Sequence, residues 1–336
     1  MKHLYAVFSC AIVAALISVP ATVPPASAAE PPTIESVLGA VVALHAEIPA
    51  DARTAESLGT ERDGHAVVID SSGLALTIGY LILEAETVTL AAAGGAPVSA
   101  EILAYDHATG FGLLRAERPL KVRPMALSRS ALAEDGDRVV VAGAGGADQA
   151  ITAQIVSRRS FAGYWEYMLD EAIFTVPPHP IFGGAALIDS AGRLLGIGSL
   201  FVNDAAAPGE FSPGNMFVPI DLLKPILADL IADGRSSAAP RPWLGLYTQE
   251  APQGLFVSRV AVDGPAQRAG ILPGSLVLAI DGRPIRTLES FYREVWAMGA
   301  PGVTVNLTLI DPTGEPREVA VVSGDRSDWL GLKSRD

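Results

Sequence analysis

The sequence predicts a mostly β protein in which two similar β-barrels precede a small α/β domain. Short apolar segments separated by turn residues run from Gly64 onward, and one hairpin-like stretch recurs within them. The pattern changes after a Gly, Ser, Ala and Pro-containing stretch at 234–241, which has linker composition. The 33 glycines and 25 prolines in 336 residues also suit a turn-rich, strand-rich chain.

The strands of the first part are predicted from local pattern. Ala66–Ile69 and Leu74–Ile78 flank Asp70-Ser71-Ser72-Gly73, which is a strand, a tight turn and a second strand. An apolar segment at 37–44 predicts an earlier strand, before a polar loop at 49–63. Later strands are predicted at 88–90, 100–103, 112–114 and 138–142.

Residues 69–79 and 188–198 form the internal repeat. Both read Ile-Asp-Ser, then Gly two residues later, followed by an apolar run. The repeat predicts an equivalent hairpin in each of two barrels, although Asp-x-x-Gly turns are common enough for a chance similarity.

A helix closes the barrel region, and a second unit follows it. Apolar residues at helical spacing predict this helix at 221–233, with Gly234 ending it. From Pro242 onward, short strands surround one helix near 288–298. About 95 residues of this mixed pattern are expected to form one compact domain.

The N-terminus has the features of an export signal. A positive start at Lys2 precedes an apolar run at 4–19 and the small-residue site Ala26-Ser27-Ala28. We expect cleavage after Ala28 and delivery to the periplasm or outside the cell; a retained anchor is the alternative. The chain's one cysteine is Cys10, so the mature protein would lack disulfides.

Charge and motif content exclude several function classes. The formal net charge of −13 argues against nucleic acid, which requires clustered Lys and Arg. No His-x-x-x-His pair or Cys cluster suggests a metal, and we expect no cofactor.

Together these landmarks resemble the HtrA/Deg family of exported serine proteases. The resemblance is carried by Gly64–Asp70 with Leu76-Thr77, Asp106–Leu114, Gly183–Leu187, Met216–Pro219, Trp243–Leu246, Gly264–Gly274 and Asp281–Ile285. It implies a trypsin-like domain of two six-stranded β-barrels at 29–233, a linker at 234–241 and a PDZ domain at 242–336. It also suggests a trimer.

The family's catalytic positions, carried over residue by residue, are all substituted. Tyr80 stands where the general-base His should be, Gly110 replaces the orienting Asp, and Phe182 replaces the nucleophilic Ser. The oxyanion-hole position is Pro180, which has no N–H to donate. We therefore expect no intact catalytic residue, and His179 nearby is expected to be a structural histidine.

The PDZ unit, in contrast, retains the features that binding needs. The resemblance places the family's carboxylate-binding loop at Leu244, Gly245 and Leu246, and Phe291 and Val295 in the pocket for the last side chain of a peptide. An alternative is a PDZ domain used for intramolecular docking or oligomer contacts.

Residues 161–167 form the densest aromatic cluster in a chain with 6% aromatic residues. They are interpreted either as a contact surface or as core packing around the protease cleft, with Tyr80 and Phe182.

Three functions follow as hypotheses. The preferred one is a non-catalytic envelope protein whose PDZ domain recognises C-termini or unfolded polypeptides, as a scaffold, a chaperone-like protein or a modulator of HtrA proteases. The second is an HtrA serine endopeptidase with a rearranged site, acting in envelope protein quality control. The third is a structural partner in an envelope assembly.

Overall fold

The first barrel is built from six antiparallel strands. The computed structural model describes Met1 and residues 32–332, so the predicted export segment lies outside the described residues apart from Met1. The strands are β1 (Val41–Glu47), β2 (Glu61–Val68), β3 (Leu74–Ile78), β4 (Thr87–Ala91), β5 (Val98–Tyr105) and β6 (Phe111–Ala116). They pair in the order β1-β2-β3-β6-β5-β4, and β4 closes the barrel on β1.

The second barrel repeats this topology. Its strands are β7 (Arg138–Ala142), β8 (Ala150–Gly163), β9 (Tyr167–Val176), β10 (Ala186–Ile188), β11 (Leu194–Val202) and β12 (Gly214–Pro219). They pair as β7-β8-β9-β12-β11-β10, with β10 closing on β7. The predicted mostly β class with two similar barrels is confirmed.

The repeated hairpin, however, does not occupy equivalent places in the two barrels. Residues 69–79 join the second and third strands of the first barrel, whereas 188–198 join the fourth and fifth of the second. What recurs is turn chemistry. Asp70 accepts from the amides of Ser72 and Leu74, and Asp189 accepts from those of Ala191 and Arg193. An Asp side chain that bonds the backbone two residues on makes this turn wherever a tight hairpin is needed.

One strand prediction and one helix prediction need correction. The segment predicted as a strand at 37–44 begins as helix α1 (Ile34–Leu38), because the Thr33 side chain accepts from the Ser36 amide and caps it. The helix predicted at 221–233 is shorter. Helix α3 spans Leu227–Asp233, because Pro225 lacks an amide hydrogen to continue a helix through the preceding turn. Gly234 ends it in the left-handed conformation, as predicted. A one-turn helix, α2, lies between them at Ala55–Leu58.

The C-terminal unit is one sheet with helices packed against it. Its strands are β13 (Leu246–Ala251), β14 (Gly254–Val260), β15 (Leu276–Ile280), β16 (Arg283–Pro284), β17 (Thr304–Ile310) and β18 (Pro316–Val322). The helices are α4 (Pro265–Arg268), α5 (Leu288–Ala297) and α6 (Arg326–Trp329). Strand β13 lies at one edge of the sheet and pairs with β14 alone among the named strands. The predicted helix near 288–298 is confirmed as α5.

Within the described ranges, no helix has both the length and the apolar character needed to cross a membrane. The largest apolar core is shared by the two barrels, whereas residues of the C-terminal unit form a separate core. One barrel residue, Met168 of β9, is buried in that second core.

Candidate functional site

Loops from both barrels meet at the positions predicted for the catalytic triad. The Gly79 amide donates to the Gly110 carbonyl at 2.7 Å, which joins two loops of the first barrel. The Tyr80 hydroxyl crosses to the second barrel and donates to the Ser199 carbonyl at 2.9 Å. It also lies beside the loop of Phe182, because a Cβ placed on Gly183 would be 2.9 Å from the Tyr80 oxygen. The fold therefore brings the three predicted positions together.

Tyr80 is placed as a structural link between the barrels. Its hydroxyl hydrogen is used in the bond to Ser199, and burial raises the pKa of the phenol above its ordinary value. A neutral phenol with a raised pKa is a weak proton acceptor at neutral pH. The contact is suited to holding the barrels in register rather than to general-base catalysis.

Gly110 has both a backbone conformation and a neighbour that oppose an acidic side chain. Its φ is +83°, and a Cβ at this position would lie 3.0 Å from the hydroxyl of Tyr167. That hydroxyl donates to the Thr109 carbonyl at 2.7 Å. The ring of Tyr167 thus fills the space beside Gly110, which sequence reasoning did not anticipate for this residue.

The loop that carries Phe182 is fixed onto the first barrel. The amide of His65 on β2 donates to the Gly183 carbonyl at 2.9 Å, and the Ala185 amide donates to the Phe182 carbonyl at 3.0 Å. Gly184 follows with φ +75°, and a Cβ there would lie 1.8 Å from the His65 carbonyl oxygen. Pro180 supplies no N–H at the position predicted for the oxyanion hole.

Two histidines flank this loop, but neither is paired with a nucleophile. The rings of His65 and His179 are 6.5 Å apart, and the His65 Nδ1 accepts from the Ala144 amide at 3.2 Å. Burial, with a smaller contribution from His179, lowers the pKa of His65 to about 4. In the part of the chain that the structure describes, no Ser or Thr hydroxyl is hydrogen-bonded to a histidine ring.

The predicted carboxylate-binding loop does hold a carboxylate, and it comes from the same chain. The amide of Leu244 donates to Glu166 Oε2 at 3.0 Å, and those of Gly245 and Leu246 donate to Oε1 at 2.7 and 2.8 Å. Gly245 has φ +79°, and a Cβ there would lie 3.1 Å from Ala261. A glycine at this position therefore lets the three N–H groups converge.

Glu166 reaches this loop from the tip of the β8–β9 hairpin of the second barrel. It is 3% exposed and adopts φ +58°. Burial raises the pKa of its carboxyl to about 7, against the three backbone N–H groups, which lower it. The three donors therefore offset part of the burial penalty on the charged carboxylate, and burial remains the larger effect on its pKa.

The hairpin also lies along the edge of the C-terminal sheet. The Thr248 amide of β13 donates to the Tyr164 carbonyl at 3.0 Å. From the facing helix α5, the Tyr292 hydroxyl donates to the Gly163 carbonyl at 2.6 Å and accepts from the Glu166 amide at 3.1 Å. The groove between β13 and α5 is thus occupied.

The predicted pocket residues Phe291 and Val295 are both buried in the apolar core that also contains Met168. On α5, the hydrogen bonds to Gly163 and Glu166 come from Tyr292, a residue that the sequence did not single out. The aromatic cluster at 161–167 satisfies both of its interpretations, since Tyr167 packs at the triad position and Tyr164 contacts the PDZ edge.

Comparison with known families agrees with this architecture. A model described as a trypsin-like peptidase domain matches residues 64–197, and a PDZ domain model matches residues 256–309. The chain therefore combines a trypsin-like peptidase domain with a PDZ domain, and in this it is similar to HtrA-type proteases. The region matched by the peptidase model contains Tyr80, Gly110 and Phe182. The region matched by the PDZ model contains most of the C-terminal sheet.

Curated relatives of the HtrA-like chain are named as serine proteases. It is 26% identical to Serine protease PepD of Mycobacterium tuberculosis, over 89% of this chain and 68% of that protein. It is 28% identical to a probable periplasmic serine endoprotease DegP-like of Pseudomonas fluorescens and 27% identical to the periplasmic pH-dependent serine endoprotease DegQ of Escherichia coli, over 77% of this chain in each case. The chain spans only 54% and 58% of the lengths of these two relatives.

A solved structure supports the fold. The HtrA-type protease AlgW, determined with a decapeptide, matches with a TM-score of 0.51 and 21% identity, covering 87% of this chain and 98% of that chain. At this identity, the likeness concerns the fold alone.

Proposed function

We propose that this HtrA-like chain is an exported binding protein without protease activity, and that its working site is the PDZ groove. The observation that carries the proposal is the convergence of the Leu244, Gly245 and Leu246 amides on a carboxylate. A loop that holds an internal carboxylate with three N–H donors is suited to the C-terminal carboxylate of a peptide or an unfolded polypeptide. The adjacent edge strand β13 offers main-chain pairing to the same ligand.

The loss of catalysis is supported by four substitutions. Tyr80 is hydrogen-bonded across the barrels, the space beside Gly110 is filled by Tyr167, Phe182 lacks a nucleophilic atom, and Pro180 lacks a donor. Acyl transfer by a serine requires a nucleophile, a base and an oxyanion hole together, and each is affected here.

The names of the relatives support a periplasmic location and favour one alternative, a serine endopeptidase with a rearranged site. We place the proposed protein in the periplasm, as a scaffold, a chaperone-like protein or a modulator of HtrA proteases, in a homo-oligomer. No step of this function requires a cofactor.

Catalysis is tested with purified residues 29–336. We expect neither casein cleavage nor covalent labelling by a fluorophosphonate probe, because labelling requires an activated serine beside a base. E. coli DegQ, handled in parallel, serves as the positive control. Stoichiometric labelling of a serine, located by mass spectrometry, would establish the endopeptidase alternative instead.

A further inference from the structure

We propose that the β8–β9 hairpin, residues 160–170, is a built-in ligand of the PDZ groove, so that an outside C-terminus binds only by displacing it. We call this segment the docking hairpin. The proposal rests on the proposed function, in that it concerns the regulation of the same groove.

The docking hairpin offers the PDZ domain the first feature of a C-terminal peptide, a carboxylate. Glu166 receives the amides of Leu244, Gly245 and Leu246 at 2.7–3.0 Å, and its side chain is 3% exposed. A peptide's C-terminal carboxylate would accept hydrogen bonds from the same three amides, so the loop cannot bind it and Glu166 at the same time.

The hairpin also supplies the main-chain edge and the apolar contact. Along β13, successive amides point to opposite sides, so Leu246 and Thr248 face the same side of the strand. Leu246 donates to the Glu166 carboxylate and Thr248 to the Tyr164 carbonyl, which is the order in which an added peptide strand would use them. Met168, which is 5% exposed, is buried in the apolar core of the PDZ unit.

Contacts outside the groove are weaker. The Ser160 hydroxyl donates to Glu289, and Arg293 pairs with Asp170 at 2.6 Å, with both of these charged side chains at least half exposed. Exposed ion pairs contribute little, because water screens them and both side chains must be ordered. The buried contacts hold the hairpin more firmly, and they include a bond from Arg326 to the Trp165 carbonyl at 2.8 Å. Among them, those of Glu166 are the ones that a peptide carboxylate would replace.

Displacement is an exchange between equivalent bonds. An arriving carboxylate replaces the same three N–H···O contacts that Glu166 gives up, so the hydrogen bonding is nearly balanced. The hairpin has the advantage of being tethered, which corresponds to an effective concentration of about millimolar or above. The apparent affinity for an outside peptide is reduced by the fraction of molecules whose groove is open.

The test compares Glu166→Ala with Glu171→Ala in residues 29–336. Glu171 is a matched control, because it lies on β9 of the same hairpin, is mostly exposed and pairs with Arg158 rather than with the PDZ loop. The probe is a library of fluorescein-labelled decapeptides with free C-terminal carboxylates and a terminal Val, Leu, Ile or Phe, read by fluorescence polarisation. A second readout, without peptide, is hydrogen exchange at the amides of Leu244, Gly245 and Leu246.

We expect Glu166→Ala to lower the Kd of binding peptides at least tenfold and to remove the exchange protection of the three amides, while barrel amides stay protected. Glu171→Ala should behave as the unchanged chain. Equal Kd values in all three proteins, or protection retained in Glu166→Ala, would overturn the docking hairpin. Lost protection with no binding of any peptide would instead overturn the peptide-recognition function, leaving the hairpin's docking supported.

Discussion

Restoring the triad residues should not restore a protease. A chain with Tyr80→His, Gly110→Asp and Phe182→Ser should cleave casein at least about 10²–10³-fold more slowly than E. coli DegQ, since the loss of one oxyanion-hole donor alone costs that much. Pro180 leaves that donor absent. At Gly110, an aspartate would have to accept φ +83° and a Cβ 3.0 Å from the Tyr167 hydroxyl, so its carboxylate would be misplaced.

The control adds Pro180→Gly to the triple variant. This change restores the missing N–H. If the absent oxyanion-hole donor limits the rate, the quadruple variant should cleave casein faster than the triple variant. A triple variant that cleaves casein within tenfold of DegQ would show that the loop of Phe182 adapts to catalysis, contrary to the geometry described here.

The second large effect concerns the contact between the two barrels at Gly184. Gly184→Ala should destabilise the chain by about 3–5 kcal/mol, because the new methyl group would lie 1.8 Å from the His65 carbonyl and the backbone would have to shift. Gly146→Ala is the matched control: Gly146 has the same φ of +75°, but nothing lies within 4 Å of its Cβ position.

In the control variant, we expect the free energy of unfolding to fall by only about 1–2 kcal/mol, which is the cost of an alanine in the left-handed conformation. Urea denaturation of both variants measures the difference. Similar midpoints for Gly184→Ala and Gly146→Ala would mean that the loop of Phe182 is not held tightly against β2.

Local sequence patterns were sufficient to predict most strands of the barrels and much of the PDZ unit. Glycines and aspartates in tight turns mark hairpins, and the segment around Leu288 carries its own helical period, so these elements were predictable. The same locality explains the errors. The hairpins at 69–79 and 188–198 share turn chemistry without sharing a place in the barrel, and the helix before Leu227 was overextended across Pro225.

The candidate site was predictable only in part. The positions of Tyr80, Gly110 and Phe182 could be placed because each lies within a short motif. The partner of Gly245 could not be predicted, because Glu166 is 79 residues away. Local periodicity in a sequence does not indicate which residues of two domains come into contact. One local signal was present: a single acidic residue, Glu166, lies within the aromatic cluster at 161–167.

The central claim is that the PDZ groove binds peptides through their C-terminal carboxylate. It is tested most directly by measuring Kd values of the Glu166→Ala chain for pairs of decapeptides that differ only in a free or amidated C-terminus. Charge-assisted hydrogen bonds are worth about 1.5–3 kcal/mol each, and about 1.4 kcal/mol is tenfold in affinity, so amidation should weaken binding at least tenfold. Amidated peptides that bind as tightly as the free acids would contradict the account.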